Sequence, residues 1–199
     1  MLWPLVLPVK ITFSLLAVLV TLLTVFRPVR KWNRGKTFVV ALLSAGLLLV
    51  PSCIGIMGIV DGLRFGTFQY ASFSDVNDFR VERYLPTKAS DITLNKSSMG
   101  HLAKYSISES DLKDYVDQLW KNWGEHSAIS RDDLQKQRSE TPSALEAIRS
   151  NFELAFRRLR WPAPASLIEL HSPVEPDGGG AVYFYDPMTQ TGYHKAGYW

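Results

Sequence analysis

Acidic side chains are missing from the first sixty residues: all nineteen lie at or beyond Asp61. Cysteine is nearly missing too, with Cys53 alone in the chain, so no disulfide can staple the region after residue 60 and cysteine-rich metal sites are excluded. No serine sits in a Gly-x-Ser-x-Gly elbow, and no His-Glu-x-x-His is present. There is no internal repeat and no low-complexity tract. Each absence removes a class of chemistry. What remains is governed by where the charges fall.

Residues 1–60 carry Lys10, Arg27, Arg30, Lys31, Arg34 and Lys36 and no acids, a net of +6. The other 139 residues carry sixteen bases (22 less those six) against nineteen acids, a net of −3. A pI near 9 ordinarily invites a nucleic-acid partner. Here the basic excess is confined to one short link, so no nucleic acid is expected.

That link, Arg27–Lys36, joins two apolar runs, Leu7–Phe26 and Thr37–Val60. At 1.5 Å per helical residue, about twenty residues cover a hydrocarbon layer of roughly 30 Å. Gly46, Gly55, Gly58 and Pro51 fall in the second run and are tolerated in membrane helices. Lys10 sits near the outer end of the first, where its stem can carry the ammonium to the interface. Arg27, Arg30, Lys31, Arg34 and Lys36 set the topology, because short basic loops stay in the cytosol. The expectation is an N-out, C-out transmembrane hairpin, with the bilayer as first partner and a bacterial inner membrane as the setting.

Rival readings are weaker. Val50-Pro51-Ser52-Cys53 resembles a lipoprotein cleavage site, but the apolar stretch Ile54–Val60 continues past the cysteine, where a lipoprotein turns polar. A cleaved leader at residues 1–26 would carry its basic residues before the apolar run, whereas here they follow it. Two buried core helices of a soluble protein would not run this long without acids.

Beyond a connector at 61–73, rich in Phe65, Phe68, Tyr70 and Phe73, residues 74–199 suffice for one compact domain. The connector aromatics anchor at the headgroup layer or fold onto the domain. Ser74 reads as the cap of a helix over Asp75–Tyr84, stopped by Pro86. Asp91–Leu94 and Leu102–Ile107 read as a hairpin.

Ser108 then caps a helix over Glu109–Trp123, with Leu112, Tyr115, Val116, Leu119, Trp120 and Trp123 on one stripe. Residues 125–140 are polar and weakly periodic. Thr141-Pro142 opens a second helix reaching Arg160, its buried face running from Leu145 to Leu159. Three strands follow: Ser166–Ser172, Ala181–Asp186 and Gly192–Trp199. Strands, then helices, then strands predict an α+β domain with an antiparallel sheet of about five strands covered by two main helices. One sheet face would then stay free for a partner.

No catalytic, metal or cofactor site emerges. His171 and His194 fall on neighbouring predicted strands and, with Glu169 or Asp186, are the one place a metal would be sought. Two scattered histidines do not make a site, and no cofactor or metal is expected. Tyr183, Tyr185, Tyr193 and Trp199 are placed as a possible partner or ligand surface on the sheet. Arg157, Arg158 and Arg160 complement the helix dipole or meet anionic lipid or an acidic partner. The expected function is a non-catalytic, membrane-anchored accessory or interaction protein with an extracytoplasmic binding domain and a protein partner in a larger membrane complex. The alternatives are an envelope-polymer or small-ligand binding module and a membrane-tethered hydrolase.

Overall fold

A computed structural model describes residues 3–26, 32–134 and 144–198. The chain forms two compact units, Met1–Phe65 and Gly66–Trp199.

The first unit is a helical hairpin of α1 (Trp3–Phe26) and α2 (Arg34–Arg64). Both are long and apolar enough to cross a membrane. Only 17% and 6% of their most apolar windows is buried. Of the hairpin's residues Thr12, Val20, Thr37 and Ala41 are buried. Many large apolar side chains are exposed: Phe13, Leu47 and Ile59 are 68%, 82% and 68% exposed. In water each such residue forgoes about 2 kcal/mol of burial energy. All three threonines of α1 return their hydroxyls to carbonyls four residues back, Thr12 to Pro8, Thr21 to Ala17 and Thr24 to Val20, at 2.8–2.9 Å. Their polar atoms are thereby satisfied without solvent. Asn33 caps α2 by accepting from the Lys36 amide at 2.8 Å.

The second unit is built on a six-stranded, wholly antiparallel sheet of order β1-β2-β3-β6-β5-β4. The strands are β1 (Gly66–Ser72), β2 (Ser90–Ser97), β3 (Gly100–Ser106), β4 (Ile168–His171), β5 (Gly180–Asp186) and β6 (Thr191–Gly197). The sheet thus has one strand more than the sequence predicts. The addition is β1, the stretch read as a connector, where Phe68 and Tyr70 alternate with Thr67, Gln69 and Ala71. Tyr70 and Phe73 pack on the domain core.

A second departure is the helix expected over Asp75–Tyr84. It shrinks to a 3-10 turn at Phe73–Asp75 and one turn of α-helix, α3 (Phe79–Glu82). Asn77 takes a left-handed backbone (φ 43°), which interrupts helical propagation. Asp78, not Ser74, then caps α3 by accepting from the Arg80 amide.

α4 (Glu109–Trp123) matches its predicted span, and the Ser108 hydroxyl accepts from the Asp111 amide at its start. Its stripe of Leu112, Val116 and Leu119 packs with α3 on the sheet face formed by Leu94, Ala103, Tyr105, Ala181, Tyr183 and Ala196. The second helix, α5 (Ala144–Phe156), packs on the opposite face. There Phe152 and Phe156 meet Phe184 and Tyr193. Thr141 and Pro142, the expected cap, and residues 135–140 lie outside the described residues. The expectation of one free sheet face is therefore corrected. β5 reads Ala181-Val182-Tyr183-Phe184-Tyr185, apolar on both sides of the pleat, so both faces need cover. The β1–β2 part of the second face is polar, and there Asn95 bonds the Thr67 hydroxyl at 2.9 Å.

The α5-side core is small and aromatic: Phe152 lies 4.7–5.5 Å, centroid to centroid, from the rings of Phe156, Phe184 and Tyr193. Replacing Phe152, fully buried, with alanine should cost about 3–5 kcal/mol. The exposed Leu154→Ala change on the same helix should cost almost nothing. Chemical denaturation of the full chain in detergent, followed by aromatic circular dichroism, measures both.

Candidate functional site

Two hollows of the domain open where the end of α3 meets the loop between β4 and β5. Two tyrosines hold that end in place. The helix leaves its last carbonyls without intrahelical donors. The Tyr115 hydroxyl donates to the Arg83 carbonyl at 3.0 Å and the Tyr183 hydroxyl to the Tyr84 carbonyl at 2.8 Å. Trp120 donates its indole N–H to the His171 carbonyl at 2.7 Å and so ties α4 to β4.

Arg83 and Tyr84 stand between two hollows. The first, about 220 Å³, is lined by Tyr84, Leu119, Trp123, His126 and the loop Ser172–Pro176. The second, about 200 Å³, is lined by Phe79, Arg80, Asp177, Gly179 and Tyr198. Arg83, Tyr84 and Glu175 border both. The Arg83 guanidinium forms an ion pair with Glu175 and lies 5.4 Å from the Trp123 ring and 5.6 Å from the Tyr84 ring. Tyr84 donates its hydroxyl to the same Glu175 carboxylate at 3.1 Å. Burial, with that carboxylate adding to it, pushes the Tyr84 phenol up to about 12. It stays a protonated donor at any physiological pH.

Behind the second hollow runs a buried chain that the sequence did not disclose. His101 on β3 and His194 on β6 face each other diagonally across the ladder, Nε2 to Nε2 at 2.6 Å. The outer nitrogen of His101 bonds the Tyr198 hydroxyl, and that of His194 lies 3.3 Å from the Tyr105 hydroxyl. Gly192 makes room for this: a Cβ there would lie 2.4 Å from the Tyr105 ring. The two central nitrogens can share only one proton. If His101 donates, it accepts from Tyr198 and His194 donates to Tyr105; if His194 donates, every bond in the chain reverses. Both orders satisfy all four ring nitrogens with both rings neutral.

Burial drives His101 down to about 3, with Lys96 lowering it further and Asp78 opposing. Burial, and then His101 itself, drives His194 well below the ordinary histidine value. The tyrosines at both ends are raised by burial. The arrangement holds a neutral, hydrogen-bonded polar core.

The residues singled out from sequence fall as follows. Tyr183, Tyr185 and Tyr193 are 0%, 2% and 5% exposed. They are core residues rather than a surface, because helices cover both faces of the sheet. Trp199 lies outside the described residues, as do Arg27, Arg30 and Lys31. Arg34 and Lys36 occupy the first turn of α2, with the Lys36 ammonium 5.2 Å from the Trp32 ring.

Arg157, Arg158 and Arg160 are exposed, in a turn just after α5 rather than in its last turn. Arg160 takes a left-handed backbone (φ 54°), and Trp161 comes back to 5.3 Å from Phe156. His171 and His194 do not meet. His171 lies opposite Val182 and His194 opposite Tyr183, so their side chains leave opposite faces of the sheet. His171 instead pairs with Glu169 at 2.8 Å. Among the described residues no three His, Cys, Asp or Glu side chains converge as a metal site. The chain matches no family model, no curated protein and no solved structure.

The depressed histidines carry a pH signature. Unfolding releases them to a value near 6.5. Between that value and about 3 the unfolded chain binds the extra protons. Stability from the pair is therefore complete above pH 6.5 and declines as pH falls. Between pH 6 and 5, above most carboxylate titration, the unfolding free energy of the full chain should fall by about 2 kcal/mol. The His101→Leu/His194→Leu double variant should lose that slope. Denaturant titrations at the two pH values measure it.

Proposed function

We propose that the chain is a non-catalytic, membrane-anchored accessory or interaction protein whose domain binds another protein at the bilayer. One observation carries this reading: α1 and α2 leave most of their apolar surface uncovered. A soluble core helix would bury that surface, and a bilayer is the solvent that removes its cost. On this reading the basic link lies in the cytosol. The domain after Asp61 then stands on the opposite side, periplasmic or external in a bacterial cell.

The remaining features fit a binding role better than catalysis. The carboxylate best placed for chemistry, Glu175, is already engaged by Arg83 and Tyr84. The acid pair of a tethered hydrolase needs two carboxylates facing a substrate-sized cleft. The two hollows are small beside the several hundred Å³ of ordinary ligand pockets. The buried tyrosines remove a stacking surface on the sheet face. Arg157, Arg158 and Arg160 form an exposed cationic turn suited to an acidic partner or anionic headgroups. The reading invokes no cofactor and no nucleic acid.

Two measurements test the reading. The chain should stay with membranes through alkaline carbonate and release only with detergent. From mild detergent it should then elute with a second, different polypeptide, and Arg157→Glu/Arg158→Glu/Arg160→Glu should weaken that capture. Release by carbonate would overturn the anchor. A lone protomer from every mild detergent would overturn the partner.

A further inference from the structure

The two edges of the sheet are unlike. β4 is four residues long, carries Glu169 and His171, and runs into Ser172-Pro173. Those are ordinary devices for discouraging strand addition. β1, at the other edge, has none of them. Its seven residues, Gly66-Thr67-Phe68-Gln69-Tyr70-Ala71-Ser72, include no charge and no proline. Its register on β2 shows no bulge from Gly66↔Lys96 to Ser72↔Ser90. The side of β1 away from β2 presents a row of backbone donors and acceptors about 23 Å long.

We propose that β1 is a self-association edge, on which a second copy of this chain adds its own β1 antiparallel about Gln69, joining two six-stranded sheets. The strand itself names the occupant. Antiparallel pairing centred on Gln69 sets Gly66 against Ser72, Thr67 against Ala71, Phe68 against Tyr70 and Gln69 against Gln69. The aromatic positions thus meet each other, Gln69 meets its own copy, and the flanking pairs set small residues together. Phe68 and Tyr70 are half-buried on the α4 side and stack within one chain at 6.5 Å between centroids. Pairing extends them into four rings across the junction, and aromatic cross-strand pairs are among the favourable ones.

Lys96, whose ammonium sits 4.8 Å from the Phe68 ring, is itself held by Asp78 at 3.0 Å. The edge therefore meets its copy without like-charge repulsion. A seven-residue edge alone is a small interface. The proposal rests on the membrane reading in one respect: two copies confined to one bilayer face each other at high effective concentration.

The test uses the full chain in liposomes, in a Cys53→Ala background. Opposed residues of an antiparallel pair lie about 4.5–5.5 Å apart. Gln69→Cys should therefore oxidise to a covalent dimer. Thr67→Cys meets its own copy only at roughly 13 Å along the strands and should not. Gln69→Cys should give about tenfold more covalent dimer, since cysteines whose Cα atoms are beyond 7 Å cannot be bridged. Thr67→Cys with Ala71→Cys in one chain should restore cross-linking.

Gln69→Lys, which sets two ammonium groups face to face, should shift the mass of the uncross-linked protein in detergent toward the protomer. Equal cross-linking at residues 67 and 69, or a dimer indifferent to Gln69→Lys, would overturn the proposal. So would cross-linking at 69 to a different polypeptide. A Gln69→Cys chain that resists carbonate but stays uncross-linked would sink this inference and leave the anchor standing.

Discussion

The pairing of β3 with β6 holds the rest of the domain together. It sets residues 100–106 against 191–197, seven matched pairs spanning most of the domain's length. The other ladders join strands adjacent in sequence, and none of them links the first three strands to the last three. Before β3 and β6 meet there are two separate three-stranded meanders, neither wide enough to carry a helix on each face. Afterwards there is one floor with α4 on one side and α5 on the other. The same ladder brings His101 against His194 and Gly192 under Tyr105, and it leaves β1 and β4 as the edges. Closing so distant a contact is the entropically expensive step of such a topology.

Sealing both faces redirects where function can lie. A sheet covered on one side offers a broad surface; this one offers edges, the hollows beside Arg83 and Tyr84, and the exposed turn at Arg157–Arg160. The tyrosines that alternate along β5 and β6 are spent on structure. Tyr183 holds the end of α3 through its hydroxyl. Tyr193 closes the aromatic cluster around Phe152. Because that scaffolding fixes Arg83 and Tyr84, the ion pair with Glu175 is held from several directions. The interior behind them is a neutral, hydrogen-bonded core.

Much of this was legible in the amino-acid order. The charge split exposed two long apolar helices before any coordinate did. The stripe from Leu112 to Trp123, with Ser108 ahead of it, marked α4. The last three strands lie within two residues of their expected spans at every described end. What escaped had physical causes. Asn77 in a left-handed conformation cut α3 short, and nothing in the local pattern announces that choice. β1 hid in a connector because its aromatics equally suit a membrane interface. The double-sided apolar run of β5 did signal cover on both faces and is the clue a single-face reading overlooked. The histidine pair was out of reach, since it exists only once the β3–β6 register is set.

The proposed anchoring is the claim on which the compartment, the partner and the confinement of copies all depend. It is tested most directly by a reporter fused after Trp199 in intact bacterial cells. The account predicts a tail active only outside the cytoplasm, with the Arg27–Lys36 link protected from external protease. A tail active only in the cytosol would contradict it.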